Sequence, residues 1–333
     1  MSLVLAALAA AASPKPGELK TFYDWTVGCD NGRACQAVAL IPEEWPEEAV
    51  TMTVRRRPEA GAGLDILIEP RNEVGAVTLS AAGKPLPIRL LPEDGGLRIS
   101  AKDGTALIAA MRTAAELELV GADGKTVKTI SLAGATAALL YMDEQQKRIG
   151  TRSALIRPGP ASAVPPPPAL PVVVAAPIPA GAAPTLSPAR LKALRKQAGC
   201  DIEEVGGPTE NETVRISATH SLLLLSCGSG AYNVSYVPYL LTGRRAAVQA
   251  KLAPFDLPPS WSGDGSAVLV NAGWDAERRL LTSFGKGRGL GDCGTAESYA
   301  WDGARFRLVE QSEMGECRGS TDYITTWRAE VRR

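Results

Sequence analysis

Histidine is almost missing from this chain: its 333 residues include one, His220. A zinc site built on imidazoles has no pair to use, and a Ser-His-Asp or Cys-His relay has one candidate proton carrier. No CxxC spacing occurs, so tetrahedral sites that need closely spaced cysteines are absent, and neither metal nor cofactor is expected. Net charge is zero, from 36 basic and 36 acidic side chains. Proteins that hold nucleic acid or anionic membrane by bulk electrostatics carry a basic surplus, which argues against both partners. Aromatic residues make up only 5% of the chain. No stretch reaches the roughly 20 apolar residues of a bilayer span. His220 lies in Thr219-His220-Ser221 between two expected strands, where a structural or solvated ring is the simpler reading. Serine–lysine chemistry is open in principle but is not favoured.

Cysteines, by contrast, are present in an even number: Cys29, Cys35, Cys200, Cys227, Cys293 and Cys317. An even count fits a disulfide framework formed in an oxidising compartment. Many connectivities are possible. Nearest-neighbour pairing is favoured, Cys29–Cys35, Cys200–Cys227 and Cys293–Cys317, because a long proline-rich stretch separates the first two cysteines from the other four. The first residues, Met1 to Ala12, read MSLVLAALAAAA. This apolar run ends in a small-x-small pattern before Ser13 and is expected to be a signal peptide, although no Lys or Arg precedes Leu3. Periplasmic or secreted location follows as the expectation.

From Pro158 to Pro188 the chain holds eleven prolines and no charged residue. Proline lacks an amide donor and fixes φ, so neither helix nor sheet is expected there, only an extended spacer. A docking ligand for a proline-binding module is the alternative. The expected organisation is a signal peptide at 1–12, an N-terminal domain at 20–157, a linker at 158–188 and a C-terminal domain at 189–333. Charge divides evenly between the two halves.

Both halves read as mainly β. Short apolar runs at Phe22–Gly28 and Cys35–Leu40 flank the turn Asp30-Asn31-Gly32, and Leu64, Ile66 and Ile68 alternate as a half-buried strand. Further strands are expected at Val50–Val54, Val77–Ser80, Glu116–Val120 and Lys125–Leu132. Helices are expected at about Thr105–Arg112 and Gly134–Arg148, the latter with Lys147 and Arg148 opposing its dipole in the last turn. In the second half Ser187 and Pro188 suit a helix start and Gly199 its end. Strands then follow in what reads as a twisted antiparallel meander, with Asp302-Gly303 as one of its turns. The fold class is therefore two antiparallel β domains: an N-terminal β-sandwich-like one with one or two helices, and a C-terminal meander preceded by a helix. Arg55-Arg56-Arg57 is taken as a charged strand end that discourages edge pairing.

Three blocks of sequence are distinctive. One is Phe22-Tyr23-Asp24-Trp25-Thr26-Val27-Gly28-Cys29, with Cys35 following. The second is Ser131 to Ile156. The third runs from Trp274 to Arg328 and includes GKGRGLGDCG at 285–294, WDG at 301–303 and ECRGS at 316–320. Together they resemble the bacterial family known as domain of unknown function 1176, whose members are exported and carry six cysteines. The first half is also similar to the invasion-associated locus B proteins, through its aromatic-x-Asp-Trp-x-Val-x-Cys start and its SL-x-G-x-x-x-AL helix. That likeness implies an extracytoplasmic β-sandwich and an envelope role touching host cells. Neither resemblance implies a reaction, a cofactor or a catalytic residue.

The remaining constellations are weighed on chemistry. Gly285–Gly294 lacks the GK[ST] ending of a phosphate loop, and a glycine-rich hairpin passing close to Cys293 is the better reading; an anion site would use Lys286 and Arg288. Glycosidase chemistry needs two carboxylates about 5–10 Å apart. Asp292, Glu297, Asp302, Glu316 and Asp322 could converge if Cys293 and Cys317 are bridged. Trp261, Trp274 and Trp301 could stack on sugars or on a protein, with two of the three expected in the core. The sequons at Asn211 and Asn233 are read as accidental. A possible ligand cleft is accordingly assigned to Arg288, Asp292, Glu297, Trp301, Glu316 and Arg318, with no catalytic residue. The expected function is a non-enzymatic binding module for a cell-envelope protein or glycan. A carboxylate-dependent hydrolase of cell-wall sugars, or an inhibitor of a host hydrolase, is the alternative.

Overall fold

The computed structural model describes residues 13–44, 50–70, 72, 74–93, 95–200, 210–243, 247–263 and 267–333. The expected signal peptide, Met1–Ala12, lies outside the described residues. The N-terminal half contains β1 (Lys20–Phe22), β2 (Trp25–Cys29), β3 (Cys35–Ala39), β4 (Thr51–Arg56), β5 (Leu64–Glu69), β6 (Val77–Ala81), β7 (Lys84–Pro85), β8 (Leu90–Glu93), β9 (Gly96–Ile99), α1 (Gly104–Met111), β10 (Glu116–Gly121), β11 (Thr126–Ser131) and α2 (Ala135–Gln145). They form a seven-stranded sheet, ordered β1-β2-β3-β4-β5-β9-β8, and a four-stranded sheet, ordered β11-β10-β6-β7. One core joins both sheets and the two helices, from Trp25, Met52 and Ile66 to Leu79, Leu117, Leu107 and Leu139. Alternation does the sorting: along β5, Leu64, Ile66 and Ile68 are buried while Asp65, Leu67 and Glu69 are partly exposed.

The second half holds β12 (Val172–Val174), α3 (Pro188–Ala198), β13 (Glu212–Arg215), β14 (Ser221–Ser229), β15 (Val234–Thr242), β16 (Gln249–Leu252), β17 (Leu269–Val270), β18 (Gly273–Asp275), β19 (Leu280–Lys286), β20 (Gly294–Trp301), β21 (Phe306–Met314), β22 (Ile324–Arg328) and β23 (Glu330–Arg332). The expected meander is divided between two antiparallel sheets, β13-β14-β15-β16 with β17 beside β15, and β18-β19-β20-β21-β22. Leu222, Leu224 and Leu240 from the first pack on Tyr299, Trp301 and Phe306 from the second. The other face of the leucine run, Leu223 and Leu225, is covered by Leu194 of α3. That helix starts as its sequence indicates: Ser187 Oγ accepts from Arg190 N (3.3 Å), and Gly199 ends it at φ 70°. All three nearest-neighbour disulfides form.

Three local expectations are corrected. The proline-rich stretch does carry a strand: Val172–Val174 is free of proline and β-branched, and it pairs in parallel with β23. Ala175 N also donates to Arg332 O and Ala176 N to Trp301 O, both 2.8 Å, so this part of the stretch is tied down. The second helix ends at Gln145, because Lys147 turns left-handed at φ 58°. Arg148 is then not a dipole-facing surface cation but fully buried, donating to the carbonyls of Pro58 (3.1 Å), Glu59 (2.6 Å) and Ala60 (3.3 Å). Finally, Arg55 and Arg56 lie in β4, which pairs with β3 on one side and β5 on the other, so they guard no edge.

Candidate functional site: an arginine-lined cleft at the seam

The two halves are docked. Strand β3 is buried on both faces, Ala37 and Ala39 toward the N-terminal core, Val38 against Cys293, Met314 and Ile324 of the other half. Gly28 leaves room for side chains packed at the seam: a Cβ there would stand 2.7 Å from Leu19 Cδ2 and 2.9 Å from Ile324 Cγ2. Polar groups complete the seam. Asp30 Oδ1 accepts from Gly32 N and Ala34 N, both 2.8 Å, which holds the hairpin turn, while Oδ2 pairs with Arg328. Gln36 Nε2 donates to Asp322 O (3.1 Å), and Arg55 pairs with Asp322. Arg318 donates to Ile41 O (2.9 Å) and Tyr23 O (3.0 Å) and pairs with Asp24; in return Ile41 N donates to Arg318 O (2.9 Å). The distinctive FYDWTVGC, GLGDCG and ECRGS blocks therefore meet at the docking of the two halves.

The residues of the sequence-assigned cleft have these places. Arg288 and Asp292 form a two-pronged ion pair, Nε to Oδ1 at 2.7 Å, beside the Cys293–Cys317 bridge, and Gly319 N donates to Asp292 Oδ2 (2.7 Å). The Arg288 guanidinium holds the Asp292 carboxyl below the usual aspartate range. Glu316 is partly exposed and accepts from Thr21 Oγ1 (3.0 Å), and Arg318 is part of the seam. Glu297 lies in different surroundings, buried beneath Ser260, whose Oγ (2.7 Å) and N (3.1 Å) both donate to it; burial pushes its carboxyl up. Trp301 is in the C-terminal core against His220 and Phe306. Two of those environments are electrostatic locks and one is a hydrophobic core.

Other sequence candidates resolve locally. Thr219 Oγ1 lies 2.9 Å from His220 Nδ1, within the turn before β14. Ser283 and Lys286 have the spacing of a serine–lysine nucleophile. On strand β19, residues three apart point to opposite faces, and Ser283 Oγ is bonded to Val270 N (3.0 Å) and O (3.1 Å). Gly287 lets the backbone pass Cys293, whose Sγ would be 2.7 Å from a Cβ. Of the three tryptophans considered, Trp261 is substantially exposed.

A cavity of about 540 Å³ opens at the seam, between the Cys29–Cys35 hairpin, β4 and β22. Four arginines line it, Arg55, Arg56, Arg57 and Arg328, with two carboxylates, Asp30 and Asp65. A second cavity of about 470 Å³ shares Arg56, Gly63, Leu64 and Ala101 with it. Arg112 and Arg152 line the second cavity, and no carboxylate does. Arg56 is the hinge of this arrangement. Its side chain is 6% exposed; Nη2 donates to Ser153 O (2.6 Å), Nη1 lies 3.5 Å from Asp143 Oδ1, and Nε has no partner. Burial, and then the nearby Arg148, lower its pKa to about 10. This residue was missed as a site residue, although the signal existed: Met52, Val54 and Arg56 alternate onto one face, so the arginine follows two core residues inward.

Among the described residues no group of His, Cys, Asp and Glu is placed to hold a metal ion, and no helix is long and apolar enough to cross a membrane. The family model described as "Protein of unknown function (DUF1176)" matches residues 19–330. The Escherichia coli (strain K12) "Uncharacterized protein YpfG" is 30% identical over 346 aligned positions, covering 92% of each chain. No solved structure matches the chain.

Proposed function

The chain belongs to the DUF1176 family, and from that premise we propose that it is an exported, non-enzymatic binding module that holds an acidic feature of a cell-envelope protein or glycan in the seam cleft. The observation that carries this reading is the pair of cavities adjoining at Arg56, with more arginines than carboxylates along their walls. Three disulfides and the apolar Met1–Ala12 run support export. The likeness of the first half to invasion-associated locus B proteins supports the same address. Retention of envelope material, and binding on a glycan array, should both fall sharply for Arg57→Glu, which reverses charge at an exposed wall of the first cavity. An unchanged profile in both assays would remove the cleft from this role.

A hydrolase reading is favoured by one different observation. Glu297 lies opposite Gln311, and Glu313, two residues along on the same face of β21, also has its carboxyl raised by burial. A carboxyl that holds its proton above the usual range suits the general acid of glycosidic cleavage, with the other of the pair as the ionised base or nucleophile. Turnover of cell-wall sugar abolished by Glu297→Gln and spared by Asp292→Asn would favour it over binding alone.

A further inference from the structure

We propose that the second cavity is a site for one carboxylate carried on a compact body, either a free organic acid or the acid group of an envelope sugar, with Arg56 as its principal partner. The proposal deepens the binding reading above and rests on it for its biological setting.

The charge arrangement is the first argument. Arg148 and Asp143 are fully buried and Arg56 nearly so, which places two cations and one anion together away from water. Asp143 is already occupied: its Oδ2 accepts from Leu155 N (2.7 Å) and Ile156 N (2.9 Å), and only Oδ1 faces Arg56, at 3.5 Å. Arg148 is satisfied by neutral oxygens, three main-chain carbonyls with Gln146 Oε1 (3.0 Å) and Ser153 Oγ (2.9 Å). The excess positive charge therefore falls on Arg56, which lines the cavity and whose Nε–H is buried and unpartnered. Two buried cations that share one counter-charge are costly, and an anion reaching Arg56 from this cavity relieves that cost.

The walls supply the rest. Leu64, Ile108 and Leu155 are apolar, and the exposed Arg112 and Arg152, for which the described residues supply no acidic partner, stand along the lining. One excess charge matches a carboxylate, a planar monoanion that a guanidinium grips with paired N–H donors.

Calorimetric titration of the full chain tests this with N-acetylmuramic acid, galacturonic acid and benzoate, each beside its methyl ester, and with inorganic phosphate. At least one acid should saturate one site in the millimolar range or tighter. Its ester should bind at least about tenfold more weakly, and Arg152→Ala or Arg112→Ala should weaken the acid about fivefold with an unchanged melting curve. Arg56→Gln should abolish binding, and the two exposed variants keep the test valid if that protein fails to fold. Sugar acids binding where benzoate does not would identify the glycan source; the reverse would identify a free acid. Equal binding of acid and ester, binding of phosphate alone, or no saturation by any acid would overturn the proposal. If acids fail while envelope material is still retained, the carboxylate site falls and the wider reading stands; acids binding without envelope retention is the opposite case.

Discussion

Asn31 and Arg328 exchange two hydrogen bonds across the seam: Asn31 Nδ2 donates to Arg328 O (2.9 Å), and Arg328 N donates to Asn31 Oδ1 (2.8 Å). A side-chain amide thus pairs with a main-chain residue as a neighbouring strand would, at the tip of the β2–β3 hairpin. Beside it, Asp30 pairs with the Arg328 guanidinium. The hairpin turn, which from sequence has only to reverse the chain, also joins the two halves and borders the first cavity.

Asn31→Ala should therefore loosen the seam before it unfolds either core. Two hydrogen bonds are lost, for a cost of about 1–2 kcal/mol. Hydrogen exchange at Arg328 and its neighbours in β22 should accelerate while that of β5 is unchanged. Equal exchange of β22 in both proteins would show that the pairing contributes nothing.

Arg148 closes the 58–60 segment over the end of α2. Arg148→Met strands several carbonyls at once and should cost roughly 3–5 kcal/mol by urea denaturation. Arg148→Lys should recover little of it, because an ammonium cannot present the guanidinium's spread of planar donors. A lysine variant as stable as wild type would contradict this role.

Two buried carboxylates should pull the pH profile of stability in opposite directions. Glu297 has a raised folded pKa, so its contribution is intact below the unfolded value of about 4.3 and declines as pH rises from there through the folded pKa. Glu297→Gln still accepts from Ser260, and should gain on wild type across that interval. Asp292 has a lowered pKa, so its contribution is present above about pH 3.9 and is lost as pH falls through the folded value. Asp292→Asn should flatten the acid limb and cost about 1–3 kcal/mol at neutral pH. Urea midpoints measured against pH separate the two, and parallel profiles for both variants would refute the assignments.

Disulfide removal should scale with the loop closed. Cys200 and Cys227 are 27 apart, Cys29 and Cys35 only 6. In the chain-entropy picture, replacing the first pair by alanine costs about 3–4 kcal/mol and the second about 2. Denaturation of the two double variants gives the comparison, and a larger loss for Cys29/Cys35 would mean that this bridge acts chiefly through the seam it borders.

What the sequence determined by itself was the local structure. Ser187, Pro188 and Gly199 delimit α3, Asp302-Gly303 turns β20 into β21, and alternating Leu64, Ile66 and Ile68 set the buried face of β5. Each depends on residues within a few positions of one another, where capping, turn chemistry and side-chain period act directly. Even the three disulfides follow chain proximity. Tertiary structure alone decided the seam and the cleft. Asp30 meets Arg328 across 298 residues, and Arg56 meets Asp143 across 87. Nothing local distinguishes an aspartate that holds a turn from one that also locks two halves together. Alternation turns Arg56 inward, but its two arginine-rich cavities exist only once β4, α1 and the segment after α2 are packed together, because charge excess and enclosed volume belong to the assembled surfaces and not to any one segment.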